Sequence, residues 1–321
     1  MTTSTCKFGG IVNQRTLKGE TFLNRWRIQG KLKTQSPLHL GDGGSVTVPG
    51  VVAKTNDGTV KDVLVNSVAK DAQGRAYIPG SSLKGALRSY LLQVFRSQPP
   101  TEGGVQVAAI IDFESKRKDG KKQDVLIGEV KKSASWLEFV FGTTITGGKI
   151  EVWDSLAEED FLKNVGDHVS LTSGKPPFWR REHLTYVDHA VAIDPDTLTA
   201  MDKRLYHFEV VPPGVTFEVN ISGQNLAEEE LGLILFGLEA FNSEIWPLTI
   251  GAMAGRGFGR CKWELTNLYC LEAGGLKDWV KTAIETGHAG YKGLKVVPPE
   301  TKDEKIKAFK DALASGLKGA L

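Results

Sequence analysis

Cysteine is scarce in this sequence. Cys6, Cys261 and Cys270 are its only three. They are odd in number and mostly far apart, with no C-x-x-C pair and no cysteine–histidine spacing of a zinc site. That excludes a disulfide framework as the basis of the fold and leads to the expectation of a reducing, cytoplasmic setting. Long hydrophobic runs are missing too: none approaches the ~20 apolar residues of a membrane-spanning helix. The first ten residues, MTTSTCKFGG, carry neither the charged nor the apolar region of a signal peptide. Nor does either sign of charge dominate. There are 40 basic and 38 acidic residues, for a formal net charge of +2. A chain so balanced is no general polyanion binder, and a nucleic-acid partner would have to use a local basic surface.

What is present is enough for a large core: 321 residues, 40% of them hydrophobic. Residues 22–40 alternate as a strand would and run into a glycine-rich turn, Gly41-Asp42-Gly43-Gly44. Short β-rich pieces separated by turns fill 45–77. An amphipathic helix is expected over about 81–96, with Leu83, Leu87, Tyr90, Leu91 and Val94 on its buried stripe. Residues 97–135 are polar and hold a charge cluster at 116–122, which reads as an insertion or mobile loop. The stretch 139–155 is β-rich, and LYHFEVVPPGVTFEVNIS reads as a hairpin. A second helix over 226–241 is expected to start with Asn225 and Glu228 in cap and capping-box positions. GAMAGRGFGRCKWEL is a glycine-rich turn into a strand, and the tail from 271 is helical by pattern. The element order suggests an α+β fold of two halves, each a sheet with helices on one face.

Two clusters carry chemistry. In IPGSSLKGALR, Ser81 and Ser82 open the first helix, and Lys84 and Arg88 share a face one turn apart. A helix start already holds unsatisfied N–H groups and partial positive charge, so hydroxyls and cations there make a seat for a phosphate. The bland alternative is a capped helix with two solvated cations. Ser81-Ser82-Leu83-Lys84 is also an S-x-x-K, the pattern of a serine hydrolase with a lysine base, but no SDN or KTG accompanies it. In the second cluster, Gly251, Gly255, Gly257 and Gly259 alternate with Arg256 and Arg260. Such a loop can set backbone N–H groups and arginine forks against phosphates. It is not a Walker A loop, and its glycines precede a strand rather than a helix.

YIPGSSLKGALRSYL, FVFGTTITGGKIEVWDS, AIDPDTLTAMDKRLYHFEVVPPGVTFEV and IGAMAGRGFGRCKWE, in that order, resemble the RAMP superfamily of CRISPR effector proteins, in particular the repeating backbone subunits of type III complexes. LHLGDGG resembles that family's first strand and loop. The likeness spans about 22–270, leaving a C-terminal extension from 271. It implies a modified RRM-like (ferredoxin-like) fold with a β-hairpin thumb, placed here within 174–206. It also implies that the chain binds guide RNA, meets target RNA, and sits among other effector subunits in an antiviral ribonucleoprotein. The implied RNA contacts fall on Ser81, Ser82, Lys84, Arg88, Arg256 and Arg260; His39 either joins them or is a buried structural histidine. In the related subunits an aspartate in an Asp-x-Pro setting supports metal-dependent target cleavage. This sequence departs there, with Val65 near the expected acid and Ser67 near the expected proline. Asp62 and Asp42 are the candidate catalytic acids, and Mg²⁺ is the cofactor such an endoribonuclease would need. A purely structural RNA-binding scaffold is the alternative. A nuclease acting on the guide precursor would need a histidine acid/base site, and the six histidines are dispersed.

Overall fold

A computed structural model describes residues 15–54, 58–97, 106–118, 120–158, 180, 182–193, 196, 200–286 and 295–296, and parts of 303–315. Strand β1 (Asn24–Thr34) shows why the chain folds as it does. Trp26, Ile28, Leu32 and Thr34 are buried, while Arg25, Arg27, Gln29, Lys31 and Lys33 point the other way. This period of two commits one face of the strand to a core. Strands β2 (Gly41–Lys54), β3 (Val60–Val68) and β4 (Tyr77–Ile78) follow, then helix α1 (Gly80–Phe95). Next come α2 (Phe113–Lys118), α3 (Gln123–Ser133), α4 (Trp136–Phe141), β5 (Ile150–Val152), β6 (Ser155–Leu156), β7 (Tyr186–Ile193), β8 (Ala200–Val210) and β9 (Thr216–Gln224). The order ends with α5 (Glu228–Glu239), β10 (Cys261–Glu272), α6 (Leu276–Thr286) and β11 (Lys295–Val296).

The central sheet runs β11-β10-β1-β9-β5 and is antiparallel throughout. Helix α1 lies between β1 and β5, and α5 between β9 and β10. Both cover the same face, packing Leu83, Leu87 and Leu91 of α1 and Leu231, Ile234 and Leu238 of α5 into one core with Trp26, Ile28, Phe217, Ile221 and Leu268. Each such fully buried side chain contributes about 2 kcal/mol before entropy is counted. The β1-α1-β5-β9-α5-β10 order is the ferredoxin-like, RRM-type α+β fold. It replaces the two separate halves suggested by the sequence: both helices serve one sheet.

A second sheet, β2-β3-β8-β7, has its own small core of Val48, Val51, Val65 and Val187. The expected hairpin over 205–222 is therefore corrected, since β8 belongs to this sheet and β9 to the central one. Two consecutive prolines, Pro212 and Pro213, lack the N–H groups a ladder needs. Val211 instead bridges to Leu38, and the N–H of Gly214 reaches the carbonyl of Thr34 at 2.8 Å, so the chain turns from one sheet into the other around the end of β1.

Other local expectations change for equally local reasons. The Gly41–Gly44 turn is an irregularity inside β2, where pairing with β3 slips between Gly41 and Ser45. Phe139–Phe141, expected as strand, ends helix α4, because Ser135 and Glu138 form a reciprocal capping box. The described part of 97–135 folds into α2 and α3, with Phe113 and Val130 packed against Ala134 and Phe139. Asn225 is not the cap of α5: Ala227 is, and since it has no side-chain acceptor only one bond of a box forms, the Glu230 carboxylate accepting the Ala227 N–H at 2.9 Å. Asn225 takes φ +55° and uses its side chain to bond the backbone of Leu17, Thr21 and Leu23. In the tail, Leu313 is buried and Ile306 packs on the main core, while Lys310 pairs with Glu239. The expected thumb falls partly outside the described residues; within them β7 and β8 pair as antiparallel strands. Among the described residues no helix is long and apolar enough to cross a membrane.

Candidate nucleic-acid interface

Helix α1 starts at Gly80 because Pro79 sets an extended φ/ψ before it. No side chain of the cap residue serves the helix. Asp154 does so from elsewhere, its Oδ1 accepting the N–H of Gly80 at 2.8 Å. Ser81 does not cap the helix: it sits exposed inside the first turn, with Ser82 partly exposed beside it. Gly80 is needed for packing, since a Cβ there would lie 2.1 Å from the carbonyl oxygen of Val152. Lys84 is half-buried against edge strand β5, and its Nζ donates to the carbonyl of Ile150 at 3.2 Å. Burial, then the neighbouring charges of Lys18 and Arg88, lower its pKa. Arg88 is partly buried, and its Nε has no hydrogen-bond partner. Lysine and arginine therefore crowd one seam, where Glu151, paired with Lys18 and Arg25, offsets part of their charge.

The glycine–arginine loop is closed at its base by the Thr249–Arg260 bridge. Gly251, Gly257 and Gly259 all take positive φ, as does Met253. Between them a short 3-10 turn, Ala254–Arg256, lifts Arg256 into solvent, and Arg260 is exposed as well. The loop is pinned to the segment after β1. The N–H of Ala252 reaches the His39 carbonyl at 2.9 Å, that of Gly259 the Pro37 carbonyl at 2.8 Å, and that of Arg260 the Ser36 hydroxyl at 3.0 Å. Gly251 adopts φ +87°, and a Cβ there would sit 2.5 Å from the His39 oxygen. We expect Gly251→Ala to break this seating and cost about 1–3 kcal/mol. Thermal unfolding reads the loss, and an unchanged midpoint would contradict the seating.

A ladder of backbone bonds joins the two clusters. From Ala252 it passes to His39. From Leu40 it passes to the N–H of Ala69 at 2.8 Å, and from the Ala69 carbonyl to the N–H of Tyr77 at 3.3 Å, two residues before Pro79. Three such strand spacings amount to roughly 14 Å. The start of α1 and the arginine loop therefore lie at the same end of the sheet, near one another without a direct hydrogen bond.

His39 sits within this ladder and is buried. Its Nδ1 lies 2.7 Å from the Glu209 carbonyl oxygen, so it is a wall residue whose ring faces the protein. Asp42 is exposed, two residues beyond Leu40; its Oδ1 accepts from the Ser67 hydroxyl at 2.6 Å and the Gly44 N–H at 2.7 Å. Those two donors, Ser67 foremost, hold its pKa below the usual carboxylate value. A depressed folded pKa stabilises the protein above the unfolded value, and that contribution disappears as pH falls through the folded one. Ser67→Ala should move the Asp42 pKa up toward the ordinary 3.8. Carboxyl NMR titration would show the move; an unmoved pKa would remove Ser67 as the cause.

Asp62 is exposed and lies opposite Val52 on β3. It is five residues from Ser67, roughly 17 Å along the strand, so Asp42 and Asp62 do not share one metal ion. Among the described residues no group of three or more His, Cys, Asp or Glu side chains could hold a metal. The described residues therefore do not build a protein-enclosed Mg²⁺ site.

Glu209 is a feature that the sequence pattern alone did not single out. It is fully buried on β8, beneath His39, and is held by Lys70, by the Thr185 hydroxyl at 2.7 Å and by Arg180 at 3.5 Å. Burial alone would raise its pKa, but the bonds from Lys70 and Thr185 bring it below the ordinary value. Alternation along YHFEV places Glu209 on the inner side of its strand, and an acid at an inward position is the signal that could have found it.

A sequence model of the RAMP superfamily matches residues 31–262, well over half of the chain. No curated protein matches it. The matched span runs from within β1 into β10 and takes in α1 and the glycine–arginine loop. With its ferredoxin-like sheet and that span, the chain belongs to the RAMP superfamily and is a CRISPR-associated RNA-binding module.

Proposed function

We propose that the chain is a backbone subunit of a type III CRISPR effector complex, gripping the guide RNA by its phosphates and holding the guide–target duplex. The observation that carries this reading is the convergence of the α1 start and the arginine loop at one end of the sheet. Arg256 and Arg260 supply two exposed forks suited to phosphate. Ser81 and Ser82 add hydroxyls, and Lys84 and Arg88 add charge along the adjoining seam. Contacts of this kind fix an RNA strand without reading its bases, and base pairing supplies specificity. The near-neutral net charge suits a subunit whose other surfaces meet neighbours.

Purifying the protein with its partners and sequencing the bound RNA tests this. Short RNAs with repeat-derived ends are expected; their absence would count against the proposal.

Target cleavage by this chain is a second reading, supported by Asp42. Its ionised carboxylate lies in the glycine-rich stretch next to the proposed RNA path, closer to it than Asp62. Mg²⁺ here would need RNA oxygens among its ligands, since the described residues build no cage for it. Cleavage by complexes carrying Asp42→Ala or Asp62→Ala, with Mg²⁺ and with EDTA, separates scaffold from nuclease. Loss with Asp42→Ala supports catalysis by this chain, and unchanged products with both variants assign it a scaffold role.

A further inference from the structure

The second sheet leaves one face open, and that face carries two aromatic rings. Along β3 the exposed positions are Asp62, Leu64 and Asn66, while Val65 and Ser67 turn inward. β8 runs parallel beside it, with Asn66 opposite Phe208. Period two places Tyr206 and Phe208 on this open face, next to Leu64 and Asn66. Tyr206 is 40% exposed and Leu64 64%. The two rings are nearly parallel, with planes 24° apart and centroids 6.4 Å apart.

Several observations identify what such a face would receive. Rings stacked this way turn their planes toward one another, and a flat partner would continue the stack at the exposed Tyr206. His39 connects them to the arginine loop: its ring meets Phe208 edge-on at 5.7 Å, and its carbonyl accepts the N–H of Ala252. The rim is acidic, because Asp188 lies opposite Phe208 and Asp62 is two residues from Leu64 along β3. Carboxylates repel phosphate, so a neutral group belongs at the rings while the charged backbone stays by the arginines.

We propose that Tyr206 and Phe208 form a stacking step for one unpaired nucleobase of an RNA strand whose phosphates pass Arg256 and Arg260. This rests on the RNA-binding reading above. Stacking on aromatic side chains is how proteins hold unpaired bases without needing their sequence.

The test uses the full-length protein and short single-stranded RNAs carrying 2-aminopurine at successive positions, whose fluorescence falls when the base stacks. Quenching is expected at one position. Tyr206→Leu and Phe208→Leu should abolish it and weaken binding about tenfold. An abasic site at that position should weaken binding to the native protein equally. Phe208→Trp keeps a ring and should keep the quenching, which separates lost stacking from lost folding. If RNA binds but neither the leucine variants nor the abasic site matters, the stacking step is wrong and RNA binding stands. If no RNA binds at all, the underlying reading fails. If Tyr206→Leu alters self-association and leaves RNA binding untouched, the face is a protein contact and the proposal is overturned.

Discussion

Replacing both Arg256 and Arg260 with glutamate is expected to weaken RNA binding about a hundredfold or more. Both side chains are exposed on a loop whose backbone is pinned independently, by Ala252 to His39 and by Gly259 to Pro37. The substitutions therefore alter charge and leave the loop seated. Each charge-assisted hydrogen bond to phosphate contributes about 1.5 kcal/mol or more, so losing two removes about 3 kcal/mol, which is about a hundredfold in affinity. Salt dependence gives an independent readout. For a single strand, log Kd against log salt should flatten by about 0.7 for each phosphate no longer neutralised, or about 1.4 for the pair. Lys281→Glu on α6, another exposed cation, serves as the control and should change little. Equal effects per charge reversed in loop and control would mean that only net charge matters.

The largest loss of stability is expected where the N-terminal part of α5 meets the approach to β5. The side chains of Lys149 and Glu230 are 3% and 5% exposed, and both carboxylate oxygens accept from the Lys149 ammonium, at 2.9 and 2.6 Å. Glu230 also accepts the N–H of Ala227, so the same carboxylate caps α5. Arg15 lies over the Phe139 ring at 3.9 Å, and burial brings its pKa down to about 10 against the opposing pull of Glu230 and Glu138. Lys149→Ala would leave a buried carboxylate beside only this weaker support. The expected cost is about 3–5 kcal/mol, read as a lower urea midpoint at unchanged slope. Replacing both partners together, Lys149→Met with Glu230→Leu, should recover much of it, because two matched apolar groups need no counter-charge. A loss below about 1 kcal/mol for the single variant would mean the pair is solvated.

Much of the central sheet is legible in the sequence because its signals are local. The alternation of Arg25 to Thr34 gives β1, and the spacing of Leu83, Leu87 and Leu91 gives α1. The glycine–arginine loop before Cys261 stands out by composition. What sequence conceals is tertiary. Nothing near Gly80 reveals that Asp154, 74 residues on, caps the helix. Pro212-Pro213-Gly214 has the composition of a hairpin turn, yet its strands go to different sheets, a choice made by pairing with Leu38 and Thr34. Ser135 and Glu138 are a readable capping box, but the β-branched and aromatic residues after them suggest strand. Of the candidate site, residue types are readable and their exposure is not. Arg256 and Arg260 reach solvent, His39 turns inward, and Lys84 leans on β5.

The central claim is that the start of α1 and the arginine loop contact one RNA strand together. Photocrosslinking with a 4-thiouridine-labelled RNA, followed by mass spectrometry, tests it most directly. The account predicts crosslinks to peptides containing 80–88 and 251–260, at positions a few nucleotides apart on the same RNA. Crosslinks confined to one of these peptides, or falling on the opposite end of the sheet, would contradict it.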